Sequence, residues 1–243
     1  MQLAQEGSEE GVVVLTDSQT AGKGRQGRHW IDVAGWNVLS SVVLRPLFPS
    51  YLLIMVASLA VVAAIDDTCG VAATIKWPND VLIGDRKVAG ILIETSHDHA
   101  GHLVAILGIG VNVNGSSAPI RADLSLSSST TLGLTIGATT LAEECGQTVS
   151  RELFTAHLLR HIETLYLALQ REATGSLAPG TLPFSRLLRE QWRNQLSTLG
   201  RSIQVRQGTT VLSGVAEDVN DQGELLLRDH SGKLVSITWG DVE

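Results

Sequence analysis

The sequence predicts an α+β fold: a mixed central sheet with helices set apart from it, followed by a small all-β barrel. Three observations lead there. Lys87–Thr95 and His102–Asn112 are two long apolar runs joined by Ser-His-Asp-His-Ala-Gly, which reads as a hairpin. Residues at helical spacing gather in a few segments instead of alternating with every strand. From Gly200 the chain breaks into short strands with glycine turns at intervals of about 8–12 residues.

The elements follow in order. Val12–Thr16 is a short β-branched run and reads as a strand, and Ser18–Trp30, with three glycines and three basic residues, reads as a loop. Asn37–Leu44 is the next strand. Ser50–Cys69 is a helix, with Ser50 as its expected N-cap and Gly70 just beyond its end. Ala73–Lys76 and Val81–Ile83 are short strands around Trp77-Pro78-Asn79-Asp80, and Gly84-Asp85 turns the chain into the hairpin. After Asn114 the sequence is rich in Ser, Thr and Gly to about Gly137. Leu153, Phe154, Leu158, Ile162, Leu165, Tyr166 and Leu169 recur at helical spacing and place a helix over Arg151–Gln170; Phe184–Leu196 is another. Ile203–Arg206, Val211–Glu217, Glu224–Arg228 and Leu234–Trp239 are the strands of the barrel. The expected domains are therefore 1–198 and 199–243.

Composition narrows the function. The chain has 243 residues, 44% of them hydrophobic and 18% charged, which suits one or two globular domains and not a disordered chain. A net charge of −7 argues against gripping nucleic acid through total charge. Cys69 and Cys145 stand in unrelated contexts and read as plain thiols of a reducing cytoplasm. Met1–Glu10 is polar and acidic and does not read as a signal peptide. The longest apolar run, Tyr51–Ile65, is shorter than the ~20 residues of a membrane span and reads as a buried helix.

Four segments carry chemistry. In Gly22-Lys23-Gly24-Arg25-Gln26-Gly27-Arg28-His29-Trp30, glycines let backbone N–H groups approach an anion, while Lys23, Arg25 and Arg28 supply charge. Taken alone, the same residues read equally as a solvated basic loop. Lys76-Trp77-Pro78-Asn79-Asp80 presents a cation, an amide and a carboxylate on one turn, which suits nucleotide-borne Mg²⁺ or a plain capped turn. In Lys87-Val88-Ala89-Gly90-Ile91-Leu92-Ile93-Glu94, a lone lysine opens an apolar strand, and Gly90 marks a bulge or a close approach. In Gly108-Ile109-Gly110-Val111-Asn112-Val113-Asn114, the asparagines share a face, and one of them suits a base edge. His97, His99 and His102 read as a metal site or, in preference, as a polar hairpin tip, since Asp98 is their one nearby acidic neighbour. Trp30 and Trp77 read as packing or loop anchors, and Trp192 and Trp239 as core or interdomain residues.

In this order and combination, followed by a small barrel, the four segments closely resemble the biotin protein ligases from about Val12 to the end of the chain. The resemblance implies a biotin/lipoate ligase-like catalytic domain and an SH3-like barrel. It implies an ATP-dependent, Mg²⁺-using ligase that makes biotinyl-5′-AMP and passes the biotinyl group to a lysine of a biotin carboxyl carrier protein, such as an acetyl-CoA carboxylase subunit. By the same resemblance Gln19, Lys23, Gly24, Arg25, Lys87 and Gly90 lie at biotin. Arg28, Trp30, Lys76, Asn79 and Asn112 lie toward the nucleotide. Lys87, Arg25, Arg28 and Asp80 carry the chemistry, with Asp80 on the Mg²⁺ side. The reading is cytoplasmic, without DNA or membrane, and leaves room for a homodimer.

The sequence departs from the family pattern in three places. Family members carry an Asp-Ser-Thr-Asn segment that binds the ureido end of biotin, and nothing before Gly11 matches it; Thr16-Asp17-Ser18-Gln19 belongs to the next strand and loop. This implies a misplaced start codon or a truncation, and a pocket short of one wall. Lys23 stands where arginine is usual, which keeps the charge but loses the planar fork. No winged helix precedes the catalytic part, so the resemblance implies no repressor role. The rival readings are a ligase-like protein that binds biotin or nucleotide without turnover, and a lipoate or octanoyl transferase relative.

Overall fold

The computed structural model describes residues 1–118, 137–175 and 182–242. The Ser/Thr/Gly-rich stretch of the sequence falls largely outside them. Among the described residues, six strands form the large sheet in the order β1-β2-β6-β5-β4-β3. They are β1 (Val13–Thr16), β2 (Val38–Leu44), β3 (Thr74–Lys76), β4 (Asp80–Ile83), β5 (Arg86–His97) and β6 (Leu103–Val111). All five ladders are antiparallel; isolated parallel bridges at Lys87↔Ala138 and Ile75↔Leu196 give the assembly its mixed character.

Strand alternation gives the sheet two different faces. Val38, Val42 and Leu44 of β2 and Ala105, Leu107, Ile109 and Val111 of β6 enter the main core. Helix α2 (Leu52–Cys69) covers this inner face; α4 (Arg151–Ala173) packs on the outside of α2, and α5 (Phe184–Gln195) packs on α2 and β3. Helix α2 is apolar all round because it is enclosed. By length and composition it is the one helix among the described residues able to cross a membrane, yet Leu53, Met55, Val56 and Ile65 are fully buried within the protein. Ser58, in its middle, donates to the Ile54 carbonyl (2.6 Å). Gly70 ends the helix in the left-handed conformation at φ 64°. The expected Ser50 cap is not made. Tyr51 holds the cap position without a side-chain bond, and burial of the apolar helix supplies the stability that the cap would have added. Ser150 does cap α4, accepting from Leu153 N (3.1 Å). Two short helices, α1 (Gln2–Gln5) and α3 (Leu141–Cys145), were not legible individually.

The outer face carries Leu39, Ser41 and Val43 of β2 opposite Gly110, Gly108 and Ile106 of β6, and these opposite Gly90, Leu92 and Glu94 of β5. Helix α1 covers its far end, with Met1 and Ala4 packed on Val43, Val104 and Ile106. The middle of the face is left open.

The C-terminal strands β7 (Ser202–Gln207), β8 (Thr210–Val219), β9 (Leu225–Asp229), β10 (Leu234–Ile237) and β11 (Asp241–Val242) form one antiparallel sheet, ordered β10-β9-β8-β7-β11. It is fixed to the larger sheet by Trp77, which is buried and donates its indole N–H to the Gly223 carbonyl (2.9 Å). Gly223, at φ 78°, meets Met55 and Trp192, where a Cβ would come within 2.7 Å of Met55 Cε. Trp192 is core as expected; Trp239 is not, remaining 46% exposed. Cys69 and Cys145, far apart in sequence, meet at the ends of α2 and α3. Burial, and then a thiol–thiol hydrogen bond to Cys145, push the Cys69 thiol up to about 12.

Trp77→Phe removes this bond and some packed volume. It is expected to cost about 1–3 kcal/mol, read as a lowered urea midpoint with an unchanged slope. An unchanged midpoint would show that Trp77 is not the joint between the sheets.

Candidate active site

On the open part of the outer face lies a cavity of about 370 Å³. Its floor is backbone. Gly90 and Gly110 are cross-strand partners, and Gly108 lies one row on, opposite Leu92 and Ser41. With no Cβ at these positions, the Trp30 indole lies directly on the sheet. A Cβ built on Gly110 would stand 2.6 Å from Trp30 Cε2, and one on Gly90 would stand 2.9 Å from Cζ3. The close approach expected at Gly90 is therefore made by the protein's own ring. Adjacent rows on one face of a sheet are about 7 Å apart. Gly108 is thus a bare position, flanked by Ser41 and Leu92, between Trp30 and the row of Val43 and Ile106, where α1 sits.

The basic loop is a small hairpin rather than an irregular coil. Lys23 bridges His29, Gly24 N donates to Arg28 O (2.7 Å), and Trp30 N donates to Gly22 O (3.0 Å). A 3₁₀ turn over Arg25–Gly27 forms its tip, with Gln26 at φ 55°. This folding turns the loop's cations toward the sheet. Arg25 donates to Asn79 Oδ1 (2.9 Å), Lys23 lies 3.6 Å from Glu94, and Arg28 pairs with Asp241 at 2.6 Å. Asn79 is itself fixed by donating to the Ile91 carbonyl (2.9 Å). Lys87 reaches forward over Gly90 to Asp80 on the neighbouring β4 (2.7 Å). Burial lowers the affinity of Arg25 for its proton, a loss opposed by Asp241 and Asp80. Lys76 is lowered for the same reason, with Asp80 opposing. Each of Lys23, Arg25, Arg28 and Lys87 is thus held by a carboxylate or amide oxygen that an anionic ligand would replace.

Of the residues singled out from sequence, Gln19, Lys23, Gly24, Arg25, Arg28, Trp30, Asn79, Asp80, Lys87 and Gly90 line this cavity. Lys76 does not line it; it lies behind Asp80, its register partner. Nor does Asn112, which is buried at the end of β6 and donates to the Thr139 carbonyl (3.2 Å). Sequence reasoning missed Asp241 and Ser41, and named Gly108 only as part of a motif, without a ligand. Asp241 in particular carries no local signal, because a fold-dependent contact across the whole chain brings it here.

The chemistry of the donor set suits an adenylating site. Among the described residues no group of three His, Cys, Asp or Glu side chains is arranged to hold a metal. Asp80 is a single carboxylate in the cavity, a donor that would suit an ion carried mainly by phosphate oxygens. The His97–His102 stretch is a hairpin tip. Asp98 there accepts from Ala100 N and His102 N (both 2.9 Å) and pairs with Arg45 (3.0 Å).

Residues 1–114 match the Biotin/lipoate A/B protein ligase family, and residues 198–243 match the Biotin protein ligase C terminal domain. The biotin–[acetyl-CoA-carboxylase] ligase of Paracoccus denitrificans is 36% identical over 91% of this chain and 86% of its own length. The bifunctional ligase/repressor BirA of Bacillus subtilis is 31% identical over 100% of this chain and 69% of its own. The biotin protein ligase of Aquifex aeolicus, solved with biotin and ATP, shares the fold at a TM-score of 0.75 and 24% identity, covering 100% of this chain and 92% of that one. The chain belongs to the biotin protein ligases.

Gly110→Ala is expected to expel the Trp30 indole while keeping the strand ladder. Far-UV circular dichroism should stay unchanged while the near-UV tryptophan signal shifts, and the shift should vanish in a Trp30→Phe background. A near-UV spectrum identical to wild type would mean the ring does not rest on Gly110.

Proposed function

We propose that this chain is an ATP-dependent biotin–protein ligase that joins biotin to ATP as biotinyl-5′-AMP and pyrophosphate, then delivers the biotinyl group to a lysine of a biotin carboxyl carrier protein. The observation that carries the reading is the position of Lys87. Its ammonium stands over a bare backbone floor, paired with Asp80, in one cavity with Arg25 and Arg28.

In the first step a biotin carboxylate oxygen attacks the α-phosphorus of ATP and pyrophosphate leaves. Both reactants are anionic, so the protein must offset their repulsion and stabilise charge on the phosphoryl oxygens. Lys87 and Arg25 are fixed cations suited to this, held in place beforehand by Asp80 and Asn79. Gln19, Lys23, Gly24 and Gly90 line the biotin side, with the bare position at Gly108 as the place for its ring system. Arg28, Trp30 and Asn79 serve the nucleotide side, and Mg²⁺ travelling with ATP would neutralise phosphate charge near Asp80. In the second step the carrier's neutral lysine amine attacks the mixed anhydride carbonyl and AMP leaves. No protein nucleophile is needed, and positioning supplies much of the remaining acceleration.

This reading takes 1–198 as the catalytic domain and 199–243 as the C-terminal domain that adds Asp241. The free thiols Cys69 and Cys145 suit the cytoplasm. DNA and membranes play no part in it, and a homodimer is compatible with it. The direct test is pyrophosphate–ATP exchange dependent on biotin, followed by transfer of labelled biotin to a carrier domain. Exchange driven by lipoate or octanoate instead, or binding without exchange, would overturn it.

Lys87→Ala should lower biotin-dependent exchange by roughly 10²–10³ with the fold intact; near-normal exchange would remove Lys87 from the chemistry. Arg25→Gly removes the loop's link to Asn79 and adds backbone freedom. It should still form the adenylate because Lys87 remains, though more slowly, and should release it early, so that bystander proteins become biotinylated. A blot for biotin on an unrelated protein checks this. Labelling no greater than wild type, with adenylate still forming, would show that the loop does not retain the intermediate.

A further inference from the structure

We propose that Trp30 is a positioning residue for Lys87: the π face of its indole and the carboxylate of Asp80 together hold the ammonium over the cavity. The inference rests on the ligase reading above and adds to it a role for Trp30 that contact with a nucleotide would not require.

The geometry comes from one row of the large sheet, in which Asp80, Gly90, Gly110 and Leu39 are successive cross-strand partners. Lys87 Nζ lies 5.7 Å from the Trp30 ring centroid, within cation–π range, and 2.7 Å from Asp80 Oδ1. The ring and the ammonium converge over the same bare position. A Cβ on Gly90 would stand 2.9 Å from Trp30 Cζ3 and 3.2 Å from both Cε and Nζ of Lys87. Gly90 is therefore bare because two side chains, not one, pass above it. The indole N–H is buried without a hydrogen-bond partner among the described residues. No side-chain hydrogen bond holds the ring, so the glycine floor and the Trp30 N to Gly22 O bond set its place.

The consequence for Lys87 is restraint. A lysine side chain has four rotatable bonds and a strongly hydrated head. Asp80 alone fixes one direction of the ammonium, and an acid or phosphate arriving in the cavity competes for that same salt bridge. The π face holds the ammonium without occupying the oxygen partners it must exchange, so it persists when the ligand displaces Asp80. A contact of this kind is worth about 0.5–2 kcal/mol, equivalent to a change of roughly 2- to 30-fold.

The test uses the full chain with Trp30→Phe, which keeps a π face, and Trp30→Leu, which keeps only apolar bulk. Trp30→Met replaces the leucine variant should that one fail to fold by far-UV circular dichroism. Under saturating ATP and biotin, exchange should fall about 2- to 30-fold in Trp30→Leu, whatever happens to KM, and most of the rate should return in Trp30→Phe. A second readout needs no turnover. Lys87 in the ligand-free protein should be acetylated by acetic anhydride faster in Trp30→Leu than in wild type or Trp30→Phe, as read site by site by mass spectrometry. A loss confined to KM for ATP, equal losses in the Phe and Leu variants, or unchanged acetylation would overturn the role. If wild type shows no biotin-dependent exchange, the ligase reading fails, and the acetylation comparison alone still decides whether Trp30 restrains Lys87.

Discussion

Bare backbone at Gly90, Gly108 and Gly110 is the constraint on which the rest of the site depends. A sheet normally covers both faces with side chains about every 7 Å. Here the inner face is fully dressed and buried under α2, while the outer face is stripped at three neighbouring positions. Because the inner face supplies the stability, the outer face is free to stay hollow. Strand glycines weaken a sheet locally, and the long β5–β6 hairpin with its apolar inner side offsets that weakness.

Around this hollow the charges are arranged in pairs rather than left open. Lys87 with Asp80, Arg28 with Asp241 and Arg25 with Asn79 each hold a cation in place before any ligand arrives. Such pairs favour precise placement more than stability, since half-exposed ion pairs contribute little to folding. Their value is that an incoming anion exchanges one oxygen partner for another instead of ordering a free side chain. The two sheets share this work: the larger brings the floor, Lys87 and Asp80, and the smaller brings Asp241.

What the sequence makes legible follows the range of the forces involved. The β5–β6 hairpin and helix α4 show in local periodicity because each buries a continuous stripe. The glycine-rich loop and the segments around Lys76, Lys87 and Gly108 are contiguous stretches, so their residues could be named before their neighbours were known. What stayed hidden depends on packing across the chain. Helix α2 dispenses with a Ser50 cap because enclosure stabilises it. Strand β11 has two residues and no periodicity to read. Trp239 reads as a core or interdomain residue, yet it falls on the bend between β10 and β11 and stands at the surface. Asn112 lies in a motif beside the glycines, but the strand ends just before it and its amide turns to Thr139. Cys69 and Cys145 have unrelated sequence surroundings and meet only because α2 and α3 end side by side.

The pairing of Arg28 with Asp241 spans 213 positions of sequence, and this bears on the order in which the molecule is assembled. Hairpins such as β5–β6 close short loops and form early, whereas contacts between distant segments close late. A chain whose smaller sheet is still unmade, or has come apart locally, already displays Arg25, Arg28 and Lys87 but lacks one of their counterweights. For as long as that state lasts, a protein with an acidic total charge carries a cationic hollow, and polyanions of any kind would be drawn to it. Completion of the smaller sheet thus changes what the surface attracts as well as what it holds.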